Sequence, residues 1–279
     1  MPKFQAAINS AMRLRNSIGL EVGLLVLVYT LGHWFWRSQL AIGAATWYAT
    51  PQDTQLNLAL AGYWYAFASV PLFQFILGRW YLRLLIWFRF LWQVSRLNLH
   101  LIPTHPDRTG GLGFLGKTAY AFSPILFAQG ALLSGIIATQ ILFEGKILPS
   151  FKVEIAGFVA FFVLVILCPL GMFMPPLLRA KRKGLGEYGA LVSRYVQEFD
   201  GKWVRGGAPK SEELLGSGDI QSLADLGNSY SIVQEMRVVP FGIKDVTPLV
   251  VASVLPLLPL LLTVFSLEDL VKRLVRILV

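Results

Sequence analysis

The stretch that decides the fold is residues 155–178, IAGFVAFFVLVILCPLGMFMPPLL, which contains no charged side chain. A helix of about 20 apolar residues is long enough to cross the hydrocarbon core of a bilayer. In the whole chain of 279 residues, 55% of the side chains are hydrophobic and 15% are charged, an apolar content above that of ordinary soluble domains. The sequence therefore predicts an all-α, polytopic helical membrane protein.

Other stretches of the chain share this apolar composition. They are residues 18–36, 56–78, 118–143 and 246–265. Pro71 lies inside the second of them and predicts a kink whose freed carbonyl needs a new partner. Pro256 and Pro259 lie inside the last one and predict a helix that is bent or broken near mid-membrane, so that it either spans or re-enters. We therefore expect about five transmembrane segments.

The segments between and after these stretches are more polar. Residues 79–100 interleave arginines with aromatic side chains, which is typical of an interfacial helix at the headgroup level. Residues 102–117 form a loop rich in proline and glycine. Residues 266–279 predict a short amphipathic helix, because their apolar side chains recur at helical spacing. This tail is expected to lie on a membrane surface.

The chain as a whole divides into three predicted parts. These are a membrane domain over 1–178, a helical segment over 179–245, and the proline-broken membrane segment with its tail over 246–279. The middle part predicts one helix to about Asp200 and a second helix over 219–238. Their apolar faces are expected to pack on each other or on a partner subunit.

Basic residues predict the orientation of the chain in the membrane. Of the 25 lysines and arginines, nineteen lie before the first apolar stretch or in the two long polar segments, and only three lie in the other loops. Since basic loops stay on the cytoplasmic side, we expect a cytoplasmic N-terminus in a bacterial inner membrane. The tail's three basic residues face the outside if the fifth segment spans and the cytoplasm if it re-enters.

The net charge of +9 has an explanation that needs no nucleic acid. Topology and attraction to anionic lipids in the bilayer account for it. A basic cluster directly follows the apolar stretch 155–178, and we interpret it either as a topology determinant or as a lipid-headgroup site. It consists of Arg179, Lys181, Arg182 and Lys183. The chain has one cysteine and three scattered histidines, so we expect no metal site and no cofactor.

The most informative segment is residues 102–118, IPTHPDRTGGLGFLGKT. Pro103 and Pro106 end the preceding helix and predict a turn at the membrane surface. On a structural interpretation, Asp107 caps the next helix, Arg108 pairs with it or with a headgroup, and the glycines permit close packing. On a functional interpretation, the turn binds an anion or gates a pore.

Each role in the functional interpretation has candidate residues. The candidates for acid–base chemistry are His105 and Asp107. The candidates for binding an anion or a headgroup are Arg108, Gly110, Gly111, Gly113 and Lys117. Residues 111–118 also satisfy the G-x-x-x-x-G-K-[ST] pattern of a phosphate-binding loop, but that loop requires a preceding buried strand and a following soluble helix. Neither is expected here.

Polar side chains interrupt the third apolar stretch, where small residues lie four apart. They are Gln129, Ser134, Thr139 and Gln140. Polar residues within a span face protein or water rather than lipid, and small residues favour close helix contact. This helix is therefore predicted to line a pore or to form a helix interface, including one in a homo-oligomer.

Two motifs resemble a known group of proteins. His105 to Gly116 reads HPDRTGGLGFLG, and Gly218 to Tyr230 reads GDIQSLADLGNSY. Together they resemble uncharacterised bacterial multi-pass inner-membrane proteins that carry an HPDRxGGLGFLG turn. The resemblance implies a bacterial cytoplasmic-membrane protein of similar layout and brings no activity with it.

Three hypotheses for function follow from these observations. The first is an oligomeric channel or transporter whose third span lines the path. The second is a membrane-bound enzyme that acts on a phosphorylated or lipid-linked substrate at the cytoplasmic interface. It is weakened because the turn shows no second carboxylate or nucleophile. The third is a membrane scaffold that recruits a cytoplasmic partner.

Overall fold

The structure is a computed structural model that describes residues 2–35, 49–52, 55–209, 211–214 and 216–263. It divides into two compact units, Met1–Val94 and Ser95–Val279. The predicted amphipathic tail and the end of the first predicted span lie outside the described residues. These described residues are helical or in loops apart from one short antiparallel hairpin, with strands β1 (Ala49–Gln52) and β2 (Gln55–Leu58).

The described residues of unit 1 include two long helical segments, one before and one after this hairpin. The first contains α1 (Pro2–Arg15), α2 (Ile18–Leu27), a π-helical turn (Val28–Gly32) and α3 (His33–Phe35). The second contains α4 (Leu60–Trp64), a π-helical turn (Tyr65–Ser69) and α5 (Val70–Ser95). The helices before and after residue 16 differ in direction by 44°.

The second predicted span differs from the observed helix at both ends. Residues 55–58 belong to β2, and the helix begins at Leu60. It then continues without a break to Ser95, so that residues 79–95 extend the span rather than form a separate helix. Arginine is a good helix former, and no proline follows Pro71 before the end of this helix. The basic residues therefore change the surroundings of the helix without ending it.

The carbonyl that Pro71 leaves without a helical donor has found a partner. A proline at position 71 cannot donate to the carbonyl four residues earlier, which is that of Phe67. The hydroxyl of Tyr29, on the facing helix, donates to this carbonyl at 3.1 Å. Gln74 Nε2 donates to the carbonyl of Gly32 at 3.1 Å. The two π-helical turns are thus each bonded by a side chain from the opposite helix.

In its described part, unit 2 contains three long helical segments and one separate helix. The first joins α6 (Phe114–Thr118), a 3-10 turn (Ala119–Phe122) and α7 (Ser123–Glu144). The second joins a 3-10 turn (Leu148–Phe151), α8 (Lys152–Leu167), a 3-10 turn (Cys168–Phe173), α9 (Met174–Phe199) and a π-helical turn (Asp200–Val204). After α10 (Gly218–Gln234), the third joins α11 (Ile243–Val254) to a 3-10 helix (Leu255–Thr263).

By length and composition, four described helices can cross a membrane. They are Leu60–Ser95, Phe114–Glu144, Leu148–Val204 and Ile243–Thr263, and the bent pair at the N-terminus makes five. Only 22% of the most apolar window of Phe114–Glu144 is buried inside the chain. Apolar surface on this scale requires lipid or another apolar partner to cover it. The prediction of a polytopic helical protein is confirmed.

The fifth segment, residues 243–263, packs along the helical segment that contains α6 and α7. At one end Gly116 lies against Asp245, and in the middle Gly130 lies against the carbonyl of Ser253. At the other end Ile137 shares an apolar cluster with Leu257, Leu260 and Phe151. The helix changes from α to 3-10 at Leu255, beside Pro256, and its two parts measure about 36 Å together. Residues 243–263 therefore do not turn back along this path.

The predicted pair of polar helices packs as a hairpin. Its first helix, α9, begins at Met174 and continues the fourth span beyond the predicted boundary at residue 178. The hydroxyl of Tyr195 donates to the carbonyl of Asp219 at 3.1 Å, and Gly189 lies against the ring of Tyr230. The helices α9 and α10 therefore pack on each other, although Leu191 and Ile220 of the predicted apolar faces stay exposed.

Candidate functional site

The turn before α6 is organised around the carboxylate of Asp107. Oδ1 accepts hydrogen bonds from the amides of Thr109 at 2.8 Å and Gly111 at 3.1 Å. Oδ2 accepts one from the amide of Gly113 at 2.8 Å. Gly113 is the N-cap residue directly before α6. Asp107 therefore binds the amide of the N-cap residue, one position before α6, rather than an amide in the first turn of the helix.

These bonds lower the pKa of Asp107 well below its ordinary value. Partial burial acts in the opposite direction and is the largest single influence. It is outweighed by the hydrogen bonds from Gly113, Thr109 and Gly111 together with the one from His105. Each of them stabilises the charged form of the carboxylate. Asp107 is therefore a permanent anion at neutral pH and a poor general acid or base.

His105 lies beside this carboxylate. Its Nδ1 is 2.9 Å from Oδ1 of Asp107 and 3.3 Å from the amide nitrogen of the same residue. The two contacts require opposite protonation of Nδ1, and the shorter one has Nδ1–H donating to the carboxylate. The imidazole is about two-fifths exposed. His105 and Asp107 thus form an oriented pair, although Pro106 separates them in the sequence.

The backbone of the turn adopts left-handed conformations at three positions. The φ angles are +56° at Arg108, +63° at Gly110 and +96° at Gly111. Arg108 has a Cβ, so this conformation costs about 1 kcal/mol or more and must be held by other contacts. The amide of Arg237 donates to the carbonyl of Arg108 at 2.7 Å. The Arg108 guanidinium lies 3.0 Å from a carboxylate oxygen of Glu235.

The segment after α10 therefore holds the turn from the other side. Besides its amide bond, Arg237 directs Nη2 to the carbonyl of Asp107 at 3.3 Å. The backbone of this segment is in turn fixed by α9, since Lys181 Nζ donates to the carbonyl of Met236 at 2.8 Å. Gly184 of α9 lies against Pro103 at the start of the turn. The turn is thus enclosed by α9 and residues 235–237.

An open cavity of about 970 Å³ lies where this turn meets the start of α11. Four basic side chains line it, on separate segments of the chain. Its lining includes Arg108, Lys117, Arg237, Lys244, His105, Asp107, Glu235, Tyr120 and Asp245. The helical segments that contain α7 and α11 both begin at this cavity. It therefore lies at one end of two apolar helices.

The carboxylates of the cavity already have partners in the chain. Asp107 binds three amides and Glu235 pairs with Arg108. Asp245 accepts a hydrogen bond from the amide of Gly242 at 2.9 Å, at the start of α11. Lys117 and Lys244 are exposed, and neither has an ion-pair partner among the described residues. The cavity therefore has an excess of positive charge.

The predicted anion ligands do not all retain free donors. Gly111 and Gly113 direct their amides to Asp107, so these amides are not open to an external anion. Gly110 lies buried against Leu101 and Met236. Arg108 and Lys117 do line the cavity. The prediction that the glycine amides bind an anion is therefore wrong for Gly111 and Gly113. The basic side chains of Arg108 and Lys117 are the predicted ligands that face the cavity.

The phosphate-loop pattern of residues 111–118 has a different structure here. Two of its amides are occupied by Asp107. Thr118 donates its hydroxyl to the carbonyl of Leu115 at 2.6 Å, as a helical threonine does. The secondary structure before the turn is the helix α5 rather than a strand. The pattern match has no structural counterpart, as the sequence context predicts.

The polar side chains of the third span lie on different sides of α7. At about 100° per residue, Gln129 and Gln140 share one flank and Thr139 lies opposite the side that faces α11. Ser134 is near that α11-facing side, which Gly130 marks. These four residues do not form one polar face. Within a single chain they cannot line a continuous path along α7.

The basic cluster after the fourth span is also dispersed. Lys181 faces the end of α10 through its bond to Met236. Lys183 pairs with Glu187 at 3.7 Å, and Arg179 Nε lies 3.4 Å from the carbonyl of Pro175. Arg182 is exposed. The four residues therefore do not present one headgroup site.

Sequence reasoning missed the second half of the cavity. Glu235, Arg237 and Lys244 are about 130 positions from the turn, and nothing local in their segment marks a site. The available signal was a short non-helical stretch with two charged residues, Glu235 and Arg237, followed by Lys244 at the start of the next helix. Only tertiary contact joins it to Asp107 and Arg108.

The described residues contain no group of three or more histidine, cysteine, aspartate or glutamate side chains that could hold a metal ion. No family model, curated protein or solved structure matches this chain.

Proposed function

We propose that this chain is a multi-pass membrane protein that binds a phosphate-bearing anion in the basic cavity at the membrane surface. The observation that carries the proposal is the charge balance of that cavity. All three of its carboxylates are engaged by the chain itself, whereas Lys117 and Lys244 have no ion-pair partner among the described residues. A phosphate group would supply the missing negative charge.

The position of the cavity strengthens its attraction for an anion. It lies at the beginning of two apolar helical segments, whose aligned peptide dipoles are positive at that end. Neighbouring hydrocarbon lowers the effective dielectric constant, which makes each charge interaction stronger than in water. Asp107 and Asp245 bind the amides of the turn and of Gly242, so the ligand would be bound by side chains instead.

The rigidity of the turn favours binding over a moving gate. Arg108 is held in a left-handed conformation by Arg237 and Glu235. Such strain is retained where the surrounding structure fixes it, and functional sites are where it concentrates. The turn places Arg108 at the rim of the cavity with little freedom to rearrange.

A channel or transporter remains a second candidate in an assembly of several copies. Gln129 and Gln140 lie on a flank of α7 away from α11, so a polar path would have to form between copies. This hypothesis is tested by flux into liposomes that contain the purified protein. Solute or ion movement no greater than in empty vesicles would remove it.

The enzyme and scaffold hypotheses have less support. Asp107 is held as an anion, and the cavity lining includes no cysteine or serine nucleophile. A scaffold would use the α9–α10 hairpin, and co-purification of a partner would be its test. A location in a bacterial inner membrane with the N-terminus in the cytoplasm is part of this proposal. It rests on the distribution of basic residues.

The test is calorimetric titration of the detergent-purified protein with inorganic phosphate and inorganic pyrophosphate. We expect saturable binding that weakens about 10- to 30-fold in the double variant Lys117→Gln/Lys244→Gln, since each basic residue contributes on the order of 1 kcal/mol. The matched control is Lys152→Gln/Arg182→Gln, which removes two exposed charges outside the cavity. Absence of saturable binding, or equal weakening in both double variants, would contradict the proposal.

A further inference from the structure

A second cavity lies in unit 1, far in sequence from the basic cavity of unit 2. It has a volume of about 660 Å³ and is formed at the bend between α1 and α2, against the middle of α5. Its polar lining is rich in arginine, with Arg15 from α1 and Arg79 and Arg83 from α5. Glu21 is the one acidic residue in this lining.

The charges of this cavity do not balance. Arg79 pairs with Glu21, with its Nη2 2.8 Å from the carboxylate. Arg83 lies over the ring of Trp80 at 5.0 Å from its centroid, and Arg15 Nε contacts the side-chain oxygen of Asn16 at 3.1 Å. Neither of these contacts neutralises a guanidinium. The cavity therefore has two positive charges in excess.

The rest of the lining is apolar. Leu14 and Leu20 come from one wall and Leu82 and Ile86 from the other. The cavity therefore presents guanidinium groups and hydrocarbon side chains to the same ligand. That combination fits a molecule with an anionic group joined to an acyl chain better than it fits a free ion.

The cavity also lies at the level where both helical segments change from apolar to basic. In α2 the apolar run begins at Ile18, just after Arg15, and in the second helix it ends at Gly78, just before Arg79. The ion pair between Arg79 and Glu21 places these two points side by side. Leu60 to Arg79 measures about 28 Å along a helix, close to the thickness of a hydrocarbon core. This level is where headgroups lie.

We propose that the cavity lined by Arg15, Arg79 and Arg83 binds one anionic phospholipid, with its phosphate among the guanidinium groups and an acyl chain along Leu20 and Leu82. Arginine binds a phosphate through two parallel hydrogen bonds. The neighbouring leucines keep the site partly dry, which strengthens those bonds. This inference does not depend on the function proposed for the basic cavity of unit 2.

The test is native mass spectrometry of the detergent-purified protein titrated with phosphatidylglycerol. The measured quantity is the apparent Kd of the first bound lipid. The variant is Arg15→Gln/Arg83→Gln, which leaves the ion pair of Arg79 intact. Loss of two surface guanidinium groups is expected to raise that Kd about 10- to 30-fold. The matched control is Arg13→Gln/Arg89→Gln, which removes one exposed arginine from each of the same two helices outside the cavity.

Three outcomes would overturn the inference. One is equal weakening in the two double variants, which would mean diffuse attraction to a basic surface. Another is equal binding of phosphatidylcholine with the same chains. The third is that inorganic phosphate raises the thermal stability of the protein as much as phosphatidylglycerol does, which would assign the site to a free anion. Glutamine is a good helix former, so the substitutions should leave both helices intact. If the double variant does not fold, the single variant Arg83→Gln replaces it in the test and is expected to weaken lipid binding about 5-fold.

Discussion

Two glycines of α7 offer a sharp test of how the fifth segment packs. A Cβ added at Gly130 would lie 2.4 Å from the carbonyl oxygen of Ser253 and 3.2 Å from Cγ of Pro256. A Cβ added at Gly135, in the same helix, would meet nothing within 4 Å. We therefore expect Gly130→Ala to destabilise the fold and Gly135→Ala to leave it unchanged or more stable.

The two variants differ in the space around the added Cβ. Both substitutions gain about 1 kcal/mol of helix propensity, so this contribution cancels between them. Ordinary carbon–oxygen contacts are about 3.3–3.6 Å, so Gly130→Ala would force α7 and the fifth segment apart by about 1 Å. Overpacking of this kind costs about 1–3 kcal/mol. That is the difference in free energy of unfolding expected between the two variants.

The assay is unfolding by sodium dodecyl sulfate in mixed micelles, followed by circular dichroism. The Gly130→Ala variant should shift the transition to lower detergent fraction than wild type, and the Gly135→Ala variant should not. Equal transitions for the two variants would refute the close approach of α7 to Ser253. A Gly130→Ala variant more stable than wild type would refute it more strongly.

The remaining predictions concern the turn. Gly184→Ala should lower the free energy of unfolding by about 1–3 kcal/mol, because its Cβ would lie 2.5 Å from Pro103. The control Gly186→Ala has open space around the added Cβ and should not lower it. The same unfolding assay measures both variants. Asp107→Asn should destabilise the fold by about 2–4 kcal/mol, since charge-assisted bonds to three amides are weakened. Because folding lowers the pKa of Asp107, its stabilisation is complete above the ordinary value near 4 and is lost as the pH falls towards the lower folded pKa. The difference between wild type and Asp107→Asn should therefore narrow in acid, and a constant difference between pH 7 and pH 3 would contradict this explanation.

The spans were predictable because their signal is local and large. The apolar stretch at 118–143 corresponds to the helix Phe114–Glu144, and only its ends differ. The end of the second span was less predictable. Arginines after Gly78 mark where hydrocarbon stops, but a helix does not have to stop there, and it continues to Ser95. The amino-acid composition of a segment indicates whether it lies in hydrocarbon or in water, but it does not indicate where the helix ends.

The site was half predictable for a similar reason. Asp107 binds three amides that follow it within six residues, so residues close in the sequence are also close in the structure. Arg237 and Glu235 bind Arg108 from about 130 residues away, and no local pattern predicts that contact. The glycine amides were the most attractive anion ligands in the sequence. The structure fills them with a carboxylate from the same turn.

The basic cavity lies at one membrane face only if α7 and the fifth segment cross the bilayer in the same direction. This is tested by single cysteines at Ile147, Ile243 and Thr263 in a Cys168→Ser background, reconstituted in sealed vesicles and labelled with a membrane-impermeant maleimide. We expect positions 147 and 263 to be labelled from one side and position 243 from the other. Labelling of positions 243 and 263 from the same side would contradict the parallel crossing.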